Sequence, residues 1–334
     1  MYALELAGED DAFAAAEVRA AASAVSVVAP GLAVARGVDH ARFRGLAYSG
    51  VASDLIARSG ADLDAARAAL DAATVDREGT VAVRGRDVRG TASVSTQATE
   101  RELGAVLVER GFAVDLDDPD HELRALFSED VCLLGWRAVE SVRDFGSRAP
   151  TDKPFFTPGS MEPRLARATA NLALGSADPR TATVLDPMCG TGGGLVEAGL
   201  LGTDVVGVDA QREMVGGARR NLSRYLDSGG VAGLPAPGSW HLARGDATHI
   251  PLADGLVDAA VFDVPYGRQS RIEGDGTDEL AAAALAEARR VADRAVVVAD
   301  RPLADPARET GWTVENVFRR RVHRSLVRHV HVLG

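Results

Sequence analysis

Residues 183–201 restrict what this chain can become more than any other stretch. Thr183-Val184-Leu185 leads into Asp186-Pro187, then into Gly190-Thr191-Gly192-Gly193-Gly194, then into the largely apolar run Leu195 to Leu201. That order is a strand, a glycine turn and a helix. Glycines at such a turn let the backbone approach a ligand closely and leave the start of the helix facing it. A bare GxGG pattern says only that small residues are wanted. The GxGxxG fingerprint of dinucleotide binders is not matched, because Leu195 stands where its third glycine would fall.

Downstream, acids recur at strand ends. Asp204-Val205-Val206-Gly207-Val208-Asp209 closes on an acid able to accept hydrogen bonds from both hydroxyls of a ribose. A third strand around Trp240 to Arg244 runs into Gly245-Asp246-Ala247, where a carboxylate could meet the amino group of an adenine. Each acid alone suits a helix cap or a turn equally well. Asp186, Asp209 and Asp246 at successive strand ends converge on the one crevice where doubly wound sheets bind ligands.

The apolar run Val257 to Val261 then reaches Asp263-Val264-Pro265-Tyr266-Gly267. An exocyclic amine on a nucleobase is a poor nucleophile, its lone pair being delocalised into the ring. A carboxylate at Asp263 and the carbonyl of Val264, stiffened by Pro265, can accept both amino hydrogens and aim that lone pair at a methyl donor. Tyr266 can stack on the base. The same residues are also ordinary turn chemistry. Strands near 183–188, 204–209, 240–245, 257–263 and 294–299 alternate with helices near 192–201, 211–226 and 278–293, so a parallel doubly wound α/β sheet is expected. Trp312 to Phe318 and Ser325 to Leu333 read as an antiparallel pair at its end.

DPMCGTGG, VVGVD, GDA and DVPYG, in this order and spacing, resemble the class I S-adenosylmethionine-dependent methyltransferases that modify amino groups of nucleobases. Upstream, Lys153-Pro154-Phe155-Phe156-Thr157-Pro158-Gly159-Ser160, Leu165-Ala166-Arg167 and Asn171-Leu172 resemble the lead-in of the archaeal tRNA guanosine-10 N2-methyltransferases, and 322–329 resembles their end. The resemblance implies a Rossmann-like methyltransferase domain over 160–334 and S-adenosyl-L-methionine as donor. It implies donor contacts from Thr157, Asp186, Gly190, Gly192, Asp209, Asp246 and Ala247, and catalysis by Asp263, Val264, Pro265 and Tyr266. It also implies methylation of guanosine N2 in tRNA, mono- and dimethylation both being open. That family usually has a second proline where this chain has Val264, which would leave the loop less rigid. Another guanine or an adenine in tRNA, rRNA or DNA is the alternative target, and a non-catalytic tRNA-binding protein the more distant one.

In the first half, Tyr2 to Ala7 reads as a strand, Asp10 to Ala24 as a helix, Val25 to Val34 as a second strand and Asp62 to Ala73 as a second helix, the rhythm of a ferredoxin-like α+β module over 1–75. Thr80 to Arg86 reads as a strand and Ser95 to Arg110 as a capped helix. The runs VRGRD, TERELGAVL, VDLDDPDHELRALFSED and LLGW resemble a THUMP domain, which implies an RNA-binding module over 76–142. Residues 143–159, rich in glycine and proline, read as a linker. Arg84, Arg86, Arg319, Arg321 and Arg324 are the candidate RNA contacts, each with a solvated or ion-paired surface role as the ordinary alternative.

Charge runs against an RNA substrate at first sight, since 48 acidic and 37 basic residues give a net charge of −11. Lys153 is the only lysine, and aspartate outnumbers glutamate 30 to 18. Such an acidic, lysine-poor surface resembles halophilic archaeal proteins, in which high salt screens long-range repulsion and recognition leans on shape and arginine geometry. Two cysteines are too few for a disulfide framework or a zinc site, and the seven histidines have no ligand-spaced partners, so no metal is expected. No run suits a membrane span, and MYALELAGEDD is unlike an export signal. The cytoplasm follows as the default; the oligomeric state is left open, a monomer being favoured.

Overall fold

The computed structural model describes residues 1–265, 276–323 and 326–334. They form two compact units, Met1–Val142 and Arg143–Gly334.

In the first unit, β1 (Tyr2–Leu6), α1 (Asp11–Val18), β2 (Ala22–Ser23), β3 (Ser26–Ala29), β4 (Leu32–Ala35), β5 (Gly37–Val38), α2 (His40–Phe43), β6 (Ser49–Gly60) and α3 (Leu63–Ala72) come first. They are followed by β7 (Thr80–Asp87), α4 (Thr96–Glu109), β8 (Ala113–Val114), β9 (His121–Ser128) and β10 (Val131–Glu140). One sheet in the order β3-β4-β1-β6-β10-β9-β7-β8 runs through both expected modules, β6 pairing with β10. Leu70 of α3 and Leu103 and Leu107 of α4 pack with Val81, Val83, Leu123 and Leu134 of the strands. Ser95 caps α4, accepting from the Ala98 N–H at 3.3 Å.

Two expectations fail in this unit. The strand expected over 25–34 is a hairpin, because Pro30-Gly31 turns the chain and Gly31 takes a positive φ of 78°. The helix expected over 10–24 stops at Val18, and Ala22–Ser23 pairs instead with Gly37–Val38.

The second unit holds α5 (Pro163–Leu174), β11 (Thr183–Asp186), α6 (Gly193–Gly199), β12 (Asp204–Asp209), α7 (Arg212–Leu226) and β13 (Trp240–Arg244). Next come β14 (Ala259–Asp263), α8 (Gly276–Val291), β15 (Arg294–Ala299), α9 (Ala304–Glu309), β16 (Val314–His323) and β17 (Leu326–Leu333). The sheet order is β13-β12-β11-β14-β15-β17-β16. β13 to β15 run parallel along it, and β17 and β16 are antiparallel, as the apolar runs indicate. Strand order reverses between β11 and β14, so the ends of those two strands flank the crevice in which such sheets bind ligands.

Residues 143–159 do not behave as a free linker. Arg148 is buried and pairs with Asp144 and, at 2.6 Å, with Glu197 of α6. Arg167 of α5 reaches the same Glu197 at 2.7 Å. This network fastens the segment to the second unit through charges, which leave no apolar periodicity in the sequence.

Candidate active site

β11 delivers Asp186 to the crevice. Its Oδ1 accepts the Met188 N–H at 3.0 Å, while Oδ2 accepts nothing among the described residues. Burial pushes this carboxyl well above the usual range, and the nearby Asp209 and Asp263 add to the rise. The chain then turns through Gly190 and Gly192, both at positive φ (50° and 73°), and α6 starts directly after. A Cβ on Gly192 would sit 3.0 Å from that of Ala218 in α7, so a close approach and a left-handed turn both require glycine here.

Asp209, at the tip of β12, holds this turn. Oδ2 accepts the Gly190 N–H at 2.9 Å and Oδ1 the Gln211 N–H at 2.8 Å. A carboxylate oxygen has two acceptor sites, so each keeps one for a further donor. Asp246, beyond β13, is exposed and forms a turn, Oδ1 accepting from the Thr248 N–H and Oγ1, both at 2.9 Å. Those bonds hold its carboxyl below the ordinary range. Oδ2 stays without a partner among the described residues, and Ala247 buries its methyl in the core beside Ile250 and Val257.

The lead-in segment is clamped to the glycine turn by a residue the sequence did not mark. Asn221 of α7 accepts the Phe155 N–H at 3.0 Å and donates to the carbonyls of Phe155 at 2.7 Å and Thr191 at 2.8 Å. Half-buried Thr157 opens a turn in which its carbonyl accepts the Ser160 hydroxyl at 2.8 Å, and Ser160 Oγ lies 3.4 Å from Thr191 Oγ1.

Across the crevice, Asp263 ends β14 in register with Val298 of β15. Its Oδ1 is sealed with no partner among the described residues, although the side chain as a whole keeps 24% of its exposure. Burial raises the carboxyl to about 7, against the pull of Arg328 and with a small push from Asp300. Arg328 sits on β17, almost fully buried, 3.4 Å from Asp263 Oδ2, and donates to the Gly159 carbonyl at 2.8 Å. Arg328 was not among the arginines singled out from the sequence as candidate contacts; its ion pair puts it inside the site. Val264 is buried and its N–H donates to the Val298 carbonyl at 2.8 Å. The loop therefore gains from a sheet bond the restraint that a second proline would have supplied through its ring. Pro265 follows; Tyr266 and Arg324 lie outside the described residues.

Of the candidate RNA contacts, Arg319 and Arg321 are exposed on alternate positions of β16. Arg84 donates to the Leu116 carbonyl at 2.6 Å, and Arg86 pairs with the buried Glu5, so both are engaged within the first unit. Cys189 in the glycine turn is buried, which raises its thiol far above neutrality and suits packing rather than nucleophilic attack. No group of three or more metal-binding side chains occurs among the described residues. His331 is a neutral core residue, Nε2 accepting the Leu303 N–H at 2.9 Å with Nδ1 3.2 Å from the Val297 carbonyl.

Residues 150–329 match the model of a family described as RMKL-like, methyltransferase domain. The chain belongs to this methyltransferase family. It is 36% identical over 298 residues to the tRNA (guanine(10)-N2)-dimethyltransferase of Methanothermobacter thermautotrophicus, covering 86% of this chain and 83% of that one. It is 32% identical over 262 residues to the enzyme of the same name from Pyrococcus abyssi, covering 77% and 74%. Among solved structures, TrmN from Thermus thermophilus superposes with a TM-score of 0.51 at 22% identity, over 100% of this chain and 99% of that one. SMU.472, solved in complex with SAH, gives 0.50 at 12% identity, over 99% and 97%. These two likenesses show a shared methyltransferase fold.

Proposed function

We propose that this chain transfers a methyl group from S-adenosylmethionine to the exocyclic N2 amine of a guanosine in tRNA, position 10 being the target by analogy with its relatives. One observation carries the chemistry: a buried carboxylate, Asp263, ends the strand on one side of the switch-point crevice, facing a glycine turn with unused acceptor sites on the other.

The residues suit the donor. Asp209 keeps one acceptor site per oxygen for a ribose, Asp246 Oδ2 is open to an amine, and Gly190 and Gly192 keep the turn free of side chains. Thr157, Asp186 and Ala247 complete the proposed donor contacts. When bound, the donor supplies a methyl already activated on a sulfonium, so the protein's own work is positioning, orientation and exclusion of water. The Asp263 carboxylate and the Val264 carbonyl accept the two N2 hydrogens and direct the lone pair, Pro265 fixes the carbonyl, and Tyr266 stacks on the base. A carboxyl poised at about 7 can hold the amine as a carboxylate and then take the proton released after transfer. Arg328 favours the ionised form of Asp263 against the rise that burial causes.

The target guanine must leave its stack, which costs a few kcal/mol. The THUMP-like region of the first unit would offset that cost by holding the tRNA, with Arg319, Arg321 and Arg324 as contacts from the second unit. Arg84 and Arg86 would have to exchange their internal partners to take part. A monomer working in the cytoplasm fits this reading; among the described residues no helix is long and apolar enough to cross a membrane.

The test is nucleoside mass spectrometry of tRNA from cells with and without the gene. Loss of N2-methylated guanosine mapped to position 10 supports the assignment, and an unchanged profile rejects it.

A further inference from the structure

Lys153 is the one lysine of the chain, and it is buried to 5% of its exposure with no hydrogen-bond partner for Nζ among the described residues. The charges packed nearby are already balanced. Arg148 and Arg167 share Glu197, and Arg148 also holds Asp144, two guanidiniums against two carboxylates. Lys153 is a third cation beside them. Burial and the neighbouring Arg148 hold its pKa below the usual range, while Glu197 pulls the other way. Burying an ammonium without an anion costs several kcal/mol, so its retention calls for a ligand.

Its position indicates which ligand. A Cβ on Gly193 would lie 2.8 Å from Lys153 Nζ and 3.9 Å from Thr191 Oγ1. A Cβ on the next residue, Gly194, would lie 3.5 Å from Asp186 Oδ2, the acid oxygen that also has no partner among the described residues. At two successive glycines the start of α6 thus meets an ammonium and an acid oxygen, neither with a hydrogen-bond partner among the described residues, a pair complementary in charge to the zwitterion of an α-amino acid. A polynucleotide phosphate cannot reach an ammonium buried this deeply, so the anion must be small enough to enter the glycine turn.

We propose that Lys153 binds the α-carboxylate of the methyl donor's amino-acid portion, with Asp186 facing its α-ammonium. The assignment rests on the donor reading above. It gives Lys153 a positioning role: by fixing the amino-acid end, it sets where the methyl stands relative to Asp263.

Because there is one lysine, selective ¹³C labelling of lysine gives a single side-chain Cε resonance in the unmutated chain. S-adenosylhomocysteine carries the amino-acid portion and methylthioadenosine lacks it. Saturation with the first is expected to move the Cε resonance, and saturation with the second to leave it in place. By calorimetry, Lys153→Met should weaken S-adenosylhomocysteine by about ten-fold or more, the worth of a charge-assisted hydrogen bond, and leave methylthioadenosine within about two-fold. A Cε resonance that responds alike to both ligands, or a variant that weakens both equally, overturns the role of Lys153. If the native chain binds neither nucleoside, the donor reading itself falls.

Discussion

Replacing Arg328 by methionine tests how the catalytic carboxylate is tuned. Its guanidinium stands 3.4 Å from Asp263 Oδ2 with both groups largely out of water. At an effective dielectric near 20, unit charges at that separation interact by about 5 kcal/mol, an upper bound of nearly 4 pKa units. Carboxylates beside arginine are usually lowered by about 1–3 units, and that is the shift expected on removing it. Asp263, at about 7 in the native chain, would rise accordingly. At pH 7.5 its ionised fraction would drop from about three quarters to between about a quarter and under a hundredth. The acid limb of kcat/KM reports the free enzyme, so it should move upward by the same amount, with activity at pH 7.5 falling about three-fold to a few hundred-fold and recovering in alkali. Arg328→Lys keeps the charge and should leave the limb near its native position. If Arg328→Met lowers kcat/KM equally at every pH, the arginine acts through its hydrogen bonds, that to the Gly159 carbonyl among them, and its electrostatic role is refuted.

Asp263→Asn should abolish turnover yet stabilise the fold. Between about pH 4 and 7 the folded state keeps a proton that the unfolded chain has lost, so the native carboxyl costs stability as pH rises. Denaturant titration should show the variant gaining on the order of 4 kcal/mol at pH 8 relative to pH 4, and an equal gain at both pH values would contradict the buried-carboxyl account. Asn221→Leu strips hydrogen bonds from the main chain of Phe155 and Thr191. At about 1–3 kcal/mol for each buried group, melting should fall by roughly 10 °C or more, and a native melting curve would show that the clamp is dispensable. Val264→Pro removes the N–H that reaches Val298, so a loss of about 1–3 kcal/mol is expected in equilibrium unfolding, and no loss would mean that the sheet bond does not restrain the loop.

The sheet of the second unit was legible because its parallel strands are apolar runs ending in acids, and period and punctuation agree at 183–186, 204–209 and 259–263. α5 was not read as a helix: Arg164, Arg167 and Asn171 fall on one helical face, but Arg167 and Asn171 are buried there, Arg167 against Glu197, so the stripe is not a solvent face. β6, central in the first sheet, escaped too. Its sequence SGVASDLIARSG mixes small and polar residues, with Ser49 and Ser53 buried among them. At the site, the acids were legible from their positions at strand ends. Asn221 and Arg328 were not, because their partners lie 66 and 169 residues away and bond mostly through main-chain carbonyls that carry no signature of their own. Val264 looked like a weakening of the loop until its N–H was seen to join β15.

The central claim is that the crevice between β11 and β14 methylates guanine N2 under the direction of Asp263. Unmodified tRNA transcript, incubated with methyl-labelled S-adenosylmethionine and the purified chain and then digested for mass spectrometry, tests it most directly. The expected product is N2-methylated guanosine at position 10 with the native chain and none with Asp263→Ala, whose affinity for S-adenosylhomocysteine should remain near native. Label in another nucleoside, or undiminished label with Asp263→Ala, would contradict the account.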